Sequence, residues 1–347
     1  MFRSDRLLSL DRLLSCFLLS LLFVSVFLIS GCEEDKAAKV RSDEVSIERG
    51  VASGSAEVIE VSASSRGDSI PSDAIKVTPE TDANPPTSSS SDFKDPVPIA
   101  SMINSAGAED SPFMTSDGKS LYFFFTPDVR VPAEKQLFDG VTGIYVSDRV
   151  GDSWSVPRRV MLQKEGKLAL DGCEFVQDNI IWFCSAREGY TGINWFSAGL
   201  EDGVWKDFRL SDFDPDYKVG ELHFTKDWSA VYFHSDRAGG KGSLDIWMSK
   251  SVDGVWQSPV NIEAVNSAGS EGWPALSPDE TELWFSKDYG VWRSILVDGE
   301  WGAPERMFSP LTGEPTIDPV GNVYFVHHFF KDDKMIEADI YFAEKKR

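Results

Sequence analysis

Residues 271–304 read EGWPALSPDETELWFSKDYGVWRSILVDGEWGAP. Short apolar runs alternate here with turn signals, at intervals that suit strands and are too short for helices. The first run ends at Ser277-Pro278-Asp279-Glu280, where proline presets φ and the acidic residues suit a tight reversal. An aromatic strand follows at Leu283-Trp284-Phe285, and a third strand begins at Gly290-Val291-Trp292. Asp298-Gly299 then turns the chain into a fourth strand through Trp301.

The same order recurs through the rest of the chain. EDSPFMTSDGKSLYFFF starts at Glu109, with GIYVSDR and GDSWSVP after it. Residues 173–205 read CEFVQDNIIWFCSAREGYTGINWFSAGLEDGVW, and residues 220–259 read GELHFTKDWSAVYFHSDRAGGKGSLDIWMSKSVDGVWQSP. The last copy is GEPTIDPVGNVYF, 313–325, with ADIYFAEKKR at the end. A four-stranded unit repeated at such a period is the signature of a β-propeller blade. The segments SPDETELWF (277–285), SDRAGGKGSLDIW (235–247) and DGVWQSPV (253–260) resemble the WD40-like, TolB-type propeller repeats of bacteria. That resemblance implies the fold over roughly residues 95–347 and leaves function open, because propellers host many activities. The expectation is all-β: a five-bladed propeller of four-stranded blades.

A duplicated octet bears on how such a ring closes. INSAGAED at 103–110 matches VNSAGSEG at 265–272, and PVPIASMINSAGAE (96–109) parallels PVNIEAVNSAGSE (259–271). The final copy stops after its third strand. A strand at about 96–103 is therefore expected to complete the last blade and close the ring.

Arg3, Arg6 and Arg12 precede the apolar run LLSCFLLSLLFVSVFLIS, which reads as a secretory signal, with an uncleaved membrane anchor as the alternative. Ile29-Ser30-Gly31-Cys32 resembles the bacterial lipobox, which implies a signal peptide over 1–31 and lipidation, palmitate included, at Cys32. Glu33 follows the cysteine where Asp would favour inner-membrane retention, so the expected place is the outer membrane, facing the periplasm. Residues 32–94, rich in Ser, Ala, Asp, Glu and Pro, read as the lipidated cysteine and a disordered tether.

A formal net charge of −22 argues against nucleic acid, which needs clustered Lys and Arg. In an oxidising periplasm Cys173 and Cys184 could pair. A two-residue turn at Asp178-Asn179 would set them directly opposite each other. The four histidines, His223, His234, His327 and His328, show no metal-ligand spacing, so no metal ligands are assigned.

Blade topology gathers the NSAG loops, Glu109, Glu271, Arg187 and Arg237 on one face. Glu221 and Glu314 fall two positions further along their strands, on the same side in a regular strand. These carboxylates are expected to ring the channel, where they could hold a divalent cation or a polyhydroxylated ligand. The bland reading is that each ties down a neighbouring blade. With no nucleophile elbow or phosphate loop in view, the expectation leans to a non-catalytic lipoprotein of the cell envelope. It would bind a protein partner or a cell-wall or glycan ligand. The competing expectation is a glycoside hydrolase or lyase using channel carboxylates.

Overall fold

The computed structural model describes residues 63–99, 102–164, 166–214 and 216–346. Residues 1–62, on which the expected signal peptide, the expected lipidation at Cys32 and the first part of the expected tether fall, lie outside the described residues. What is described is all-β apart from two short helices, Ala63–Asp68 and Ala133–Gln136.

Antiparallel meanders follow one another along the chain. The first runs through Ala108–Met114, Ser120–Thr126 and Gly143–Val150, and the second through Ala169–Gln177, Ile180–Arg187, Ile193–Glu201 and Val204–Leu210. The third comprises Leu222–Phe224, Ala230–Ser235 and Asp245–Val252; the fourth comprises Glu271–Leu276, Glu282–Lys287 and Gly290–Val297. The fifth comprises Thr312–Ile317, Val323–Lys331 and Lys334–Ala343. The outer strand of the first, third and fourth meanders is broken into two short pieces. Pro157, Pro259 and Pro304 sit in those breaks, and proline has no N–H to give a ladder. The second meander has no proline there, and Val204–Leu210 is continuous.

The aromatic second strands sit in the middle of each sheet and fill the space between sheets. Leu121, Phe123, Val231, Phe233, Leu283, Phe285, Val323 and Phe325 are fully buried. First strands touch first strands, each next to that of the following meander and the fifth next to the first. This radial packing of sheets is propeller-like.

Val97–Pro98 pairs antiparallel with the third strand of the fifth meander, Val97 opposite Phe342 and Pro98 opposite Tyr341. The octet that follows docks as its twin does. The Asn104 side-chain amide donates to the Ile340 carbonyl at 2.9 Å and its oxygen accepts from the Ile340 N–H at 3.0 Å. Asn266 makes the same two bonds to Ile246, both at 2.8 Å. A single parallel bridge joins Ala108 to Ala338, and another joins Ser270 to Leu244. Glycine is required in the first copy, because a Cβ on Gly107 would meet the Thr126 carbonyl oxygen at 2.8 Å.

The expectation of a disordered tether up to residue 94 fails for residues 63–94. Their composition is polar, but a few side chains anchor them. Arg66 is buried at the first meander, where it pairs with Glu109 and bonds the Ile103 carbonyl. Lys76 reaches Glu337 and, at 2.6 Å, Asp339. Asp82 lies 3.1 Å from His327 Nε2. Thr87–Ser88 then pairs with Ser309 and Phe308, at the edge of the fourth meander. Phe93 is only 1% exposed and packs edge-on against Trp284 and Phe308. The segment is a strap across the NSAG-loop end of the fifth and first meanders, then down between the fourth and fifth.

Replacing Phe93 by alanine is expected to cost roughly 3–5 kcal/mol, as for other buried phenylalanines. Chemical denaturation of the chain beginning at residue 33 would measure it; an unchanged midpoint would mean that the strap is not docked.

Candidate functional site

The sequence-derived carboxylates divide into two groups. Glu109 and Glu271, both fully buried, hold their own loops. Glu109 accepts from the Ser105 N–H at 2.8 Å, and Glu271 accepts from the Ser267 N–H at 2.9 Å. Each also accepts from the hydroxyl of the same serine. A cation completes each set: Arg66 for Glu109, and Lys287 at 2.9 Å for Glu271. Neither carboxylate lines the channel.

Arg187 and Arg237 also stay out of the channel. Arg187 pairs with Asp171 at 2.7 Å and covers the Phe196 ring at 4.2 Å. Arg237 pairs with Asp214 at 2.6 Å and covers Tyr217 and Phe233 at 4.7 and 4.8 Å. Lys287 stands 5.5 Å from the Trp292 ring. Cation–carboxylate–aromatic ties therefore recur at the loop end of the second, third and fourth meanders. The first meander has Pro127 where Arg187 and Arg237 fall four residues after Phe183 and Phe233. The cation paired with its Glu109 comes from the strap, with Arg66 4.7 Å above the Phe125 ring.

The channel is lined by Glu174, Glu221 and Glu314, around a cavity of about 40 Å³ where first strands of all five meanders converge. The two-residue offset does not keep Glu314 on the side of Glu271, because a β-bulge intervenes. Register shifts lie between Gly272 and Ala275 and between Gly313 and Thr316. Trp273 and Glu314 adopt φ of +53° and +54° there. The extra residue of a bulge is left unpaired and re-aims its side chain. The same shift between Gly172 and Phe175 brings Glu174 into the channel. It also puts Gly172, rather than Cys173, opposite Cys184. Cys173 and Cys184 are nonetheless joined as a disulfide, with Cα atoms 5.4 Å apart.

Glu174 and Asp110 are the site residues that sequence reasoning missed. The run Asp110-Ser111-Pro112, Gly272-Trp273-Pro274, Gly313-Glu314-Pro315 was an available signal for Asp110, since it marks the bulge in the first, fourth and fifth meanders; Gly172-Cys173-Glu174 lacks the proline, and no comparable signal pointed to Glu174.

The channel is acidic and its carboxyls are largely buried. Glu174 is 6% exposed, and no donor from another residue reaches either of its carboxyl oxygens. Burial first, then the nearby Asp110 and Glu221 charges, hold its carboxyl well above the usual range. Burial pushes Glu221 up to about 8. Glu314 accepts from the Ser111 N–H and hydroxyl at 2.9 and 2.7 Å. Even so, burial and the Asp110 charge leave it well above the usual range. His234 is no counter-charge for Glu221, 3.6 Å away, because burial lowers its pKa to about 3. Its Nδ1 accepts from the Trp273 N–H at 3.1 Å, so the proton of the neutral ring is on Nε2.

Away from the channel, one ammonium serves two buried carboxyls, Glu337 and Asp339. Lys76 holds its proton more firmly for it, yet burial still leaves Asp339 up at about 8.

The sequence matches no family model and no curated protein. Among solved structures, the chain is similar to a gluconolactonase of Xanthomonas campestris at 12% identity and TM-score 0.43, covering 76% of this chain and 95% of that one. It is similar to an endo-arabinase of Bacteroides thetaiotaomicron at 12% identity and TM-score 0.44, covering 71% and 96%. It is also similar to a putative TolB of Agrobacterium tumefaciens at 15% identity and TM-score 0.35, covering 69% and 91%.

Two predictions follow from these contacts. Arg66→Ala leaves Glu109 buried without its cation and is expected to cost about 3–5 kcal/mol by chemical denaturation. A loss no larger than that of an exposed Arg130→Ala control would contradict the buried tie. The second concerns pH. Glu221 titrates near 8 in the folded chain against an ordinary 4.5, so the folded state binds the extra proton between those values. Its stabilising effect is complete below 4.5 and lost as pH rises through 8. Above about pH 7.5 histidines are almost wholly neutral in the unfolded chain as well as the folded one, so stability should fall from there to about pH 8.5. Glu221→Gln should remove part of that slope, up to about 1.4 kcal/mol per pH unit. A slope unaltered by the substitution would contradict the assignment.

Proposed function

We propose that the protein is a five-bladed propeller whose ring is closed by its own Val97–Pro98 strand. In this reading it is a lipoprotein held by Cys32 to the envelope, on the outer membrane facing the periplasm, where it binds a protein partner without catalysis. The closure rests on the octet: residues 103–109 bond the fifth meander as residues 265–271 bond the third. The anchor rests on Ile29-Ser30-Gly31-Cys32 alone.

The observation that carries binding over hydrolysis is the size of the channel. A cavity of about 40 Å³ admits a few waters, since one water needs about 10–15 Å³. That leaves little room for a glycosyl unit between Glu174, Glu221 and Glu314. Glu109 and Glu271, the other candidates for acid–base work, are committed to their loops. A protein partner is favoured over a cell-wall polymer by the net charge of −22, which repels anionic envelope glycans. It is also favoured by valines at turns on the face opposite the strap. Val150, Val252, Val255, Val297 and Val320, from four meanders, are each more than half exposed, and together they offer a protein partner apolar contacts that a polar glycan would not use.

Cross-linking in intact envelope from cells making the full-length chain tests this reading. It is expected to trap one protein partner, and Val→Glu substitutions at Val252 and Val297 should abolish the adduct. Turnover of a polysaccharide that disappears in Glu221→Gln or Glu174→Gln would overturn it in favour of a glycoside hydrolase or lyase. Retention on isolated cell wall with no protein adduct would favour a glycan ligand instead.

A further inference from the structure

The channel carboxyls have no basic side chain among them: no Lys or Arg lines the cavity. A buried carboxylate must be paired, protonated or bound to a metal. At the NSAG-loop end of this cavity the fold adds an imidazole. Asp110 from the first meander and Glu314 and His328 from the fifth each bring a ligand atom within 4.8 Å of the other two. These residues are far apart in sequence, so no ligand spacing announces them.

We propose that Asp110, Glu314 and His328 form a divalent-cation site at the mouth of the channel, with Glu174 facing the same cavity as a further oxygen donor. The two first-strand carboxyls already converge through one residue. The Ser111 hydroxyl lies 2.9 Å from Asp110 Oδ1 and 2.7 Å from Glu314 Oε2, which fixes both groups before any ion arrives. His328 Nδ1 faces the Leu311 carbonyl at 3.4 Å, a partner that orients the ring and leaves Nε2 for the cation. Ligating histidines commonly give their second N–H to such a carbonyl.

The chemistry of the set also selects the ion. Two carboxylates balance a divalent charge. The buried, unpartnered Glu174 carboxyl lines the cavity with Glu314 and would have to swing toward the three ligands to add an oxygen. An imidazole among oxygens favours first-row transition ions such as Mn²⁺ or Zn²⁺, whereas Ca²⁺ and Mg²⁺ prefer oxygen throughout. Bound there, the ion would tie the fifth meander to the first, at the seam that Val97–Pro98 also spans.

The test uses the acyl-free chain from residue 33, stripped with chelator and titrated with Mn²⁺, Zn²⁺, Ca²⁺ and Mg²⁺ separately. One Mn²⁺ or Zn²⁺ per chain is expected, with a raised Tm and weaker binding of Ca²⁺ and Mg²⁺. Asp110→Asn and His328→Ala should each weaken Mn²⁺ binding by at least about tenfold. Asp298→Asn, in a turn at the opposite end, should leave it unchanged. Pulsed electron paramagnetic resonance of the Mn²⁺-loaded unmodified chain should show coupling to one imidazole nitrogen, a readout that needs no variant to fold. Absence of stoichiometric binding, absence of nitrogen coupling, or equal binding in Asp110→Asn and His328→Ala would overturn the site.

Discussion

The buried pairing of Arg66 with Glu109 is the contact on which the rest of the arrangement depends. A propeller-like stack of sheets needs its loop end held, because first strands converge there and bury acidic residues. The second, third and fourth meanders hold theirs with a cation laid over an aromatic ring, at Arg187, Arg237 and Lys287. The first meander's own cation there, Arg159, lies 5.7 Å from the Tyr145 ring and bonds the Ile144 carbonyl rather than Glu109. That meander's carboxylate, Glu109, is fully buried and would carry an uncompensated charge without help. A buried ion pair need not stabilise a fold relative to apolar packing, but removing one partner is costly. The strap before the sheets is thus bound into the domain by electrostatic need as well as by Phe93.

A second constraint acts at the centre. Bulged first strands turn Glu174 and Glu314 inward, with Glu221 beside them and without basic partners, and the disulfide at Cys173 sits in one of these bulges. Left-handed backbone at Ser111, Cys173, Trp273 and Glu314 is unusual outside glycine. Such conformations persist only where the surroundings enforce them. Here the ladders on either side of each bulge do so. The result is a narrow acidic channel, kept neutral by protonation or by a bound cation.

Much of the sheet order was legible in the sequence. Aromatic second strands such as Leu283-Trp284-Phe285, the D-G turns and the paired octets announced strand order, and the Val97–Pro98 pairing follows from the octets. The strap was not legible, because composition averages over many residues while docking depends on few. Arg66, Lys76, Asp82 and Phe93 sit among serines, prolines and acids that read as disordered. The site was half legible. Alternation placed Glu221 and Glu314 but assumed regular strands, and a bulge reverses that logic for neighbours two apart. His328 could not be matched to Asp110 from spacing, because the two come from opposite ends of the chain.

The central claim is that the domain begins inside the segment that composition marks as a tether. Hydrogen–deuterium exchange of the chain from residue 33 tests it most directly. The Val77, Ser89 and Lys94 amides donate to Glu337, Met307 and Glu344 at 2.6, 2.8 and 2.9 Å. They should exchange as slowly as amides of the outer strands they touch. Immediate exchange at all three positions would contradict the account and return the segment to a tether.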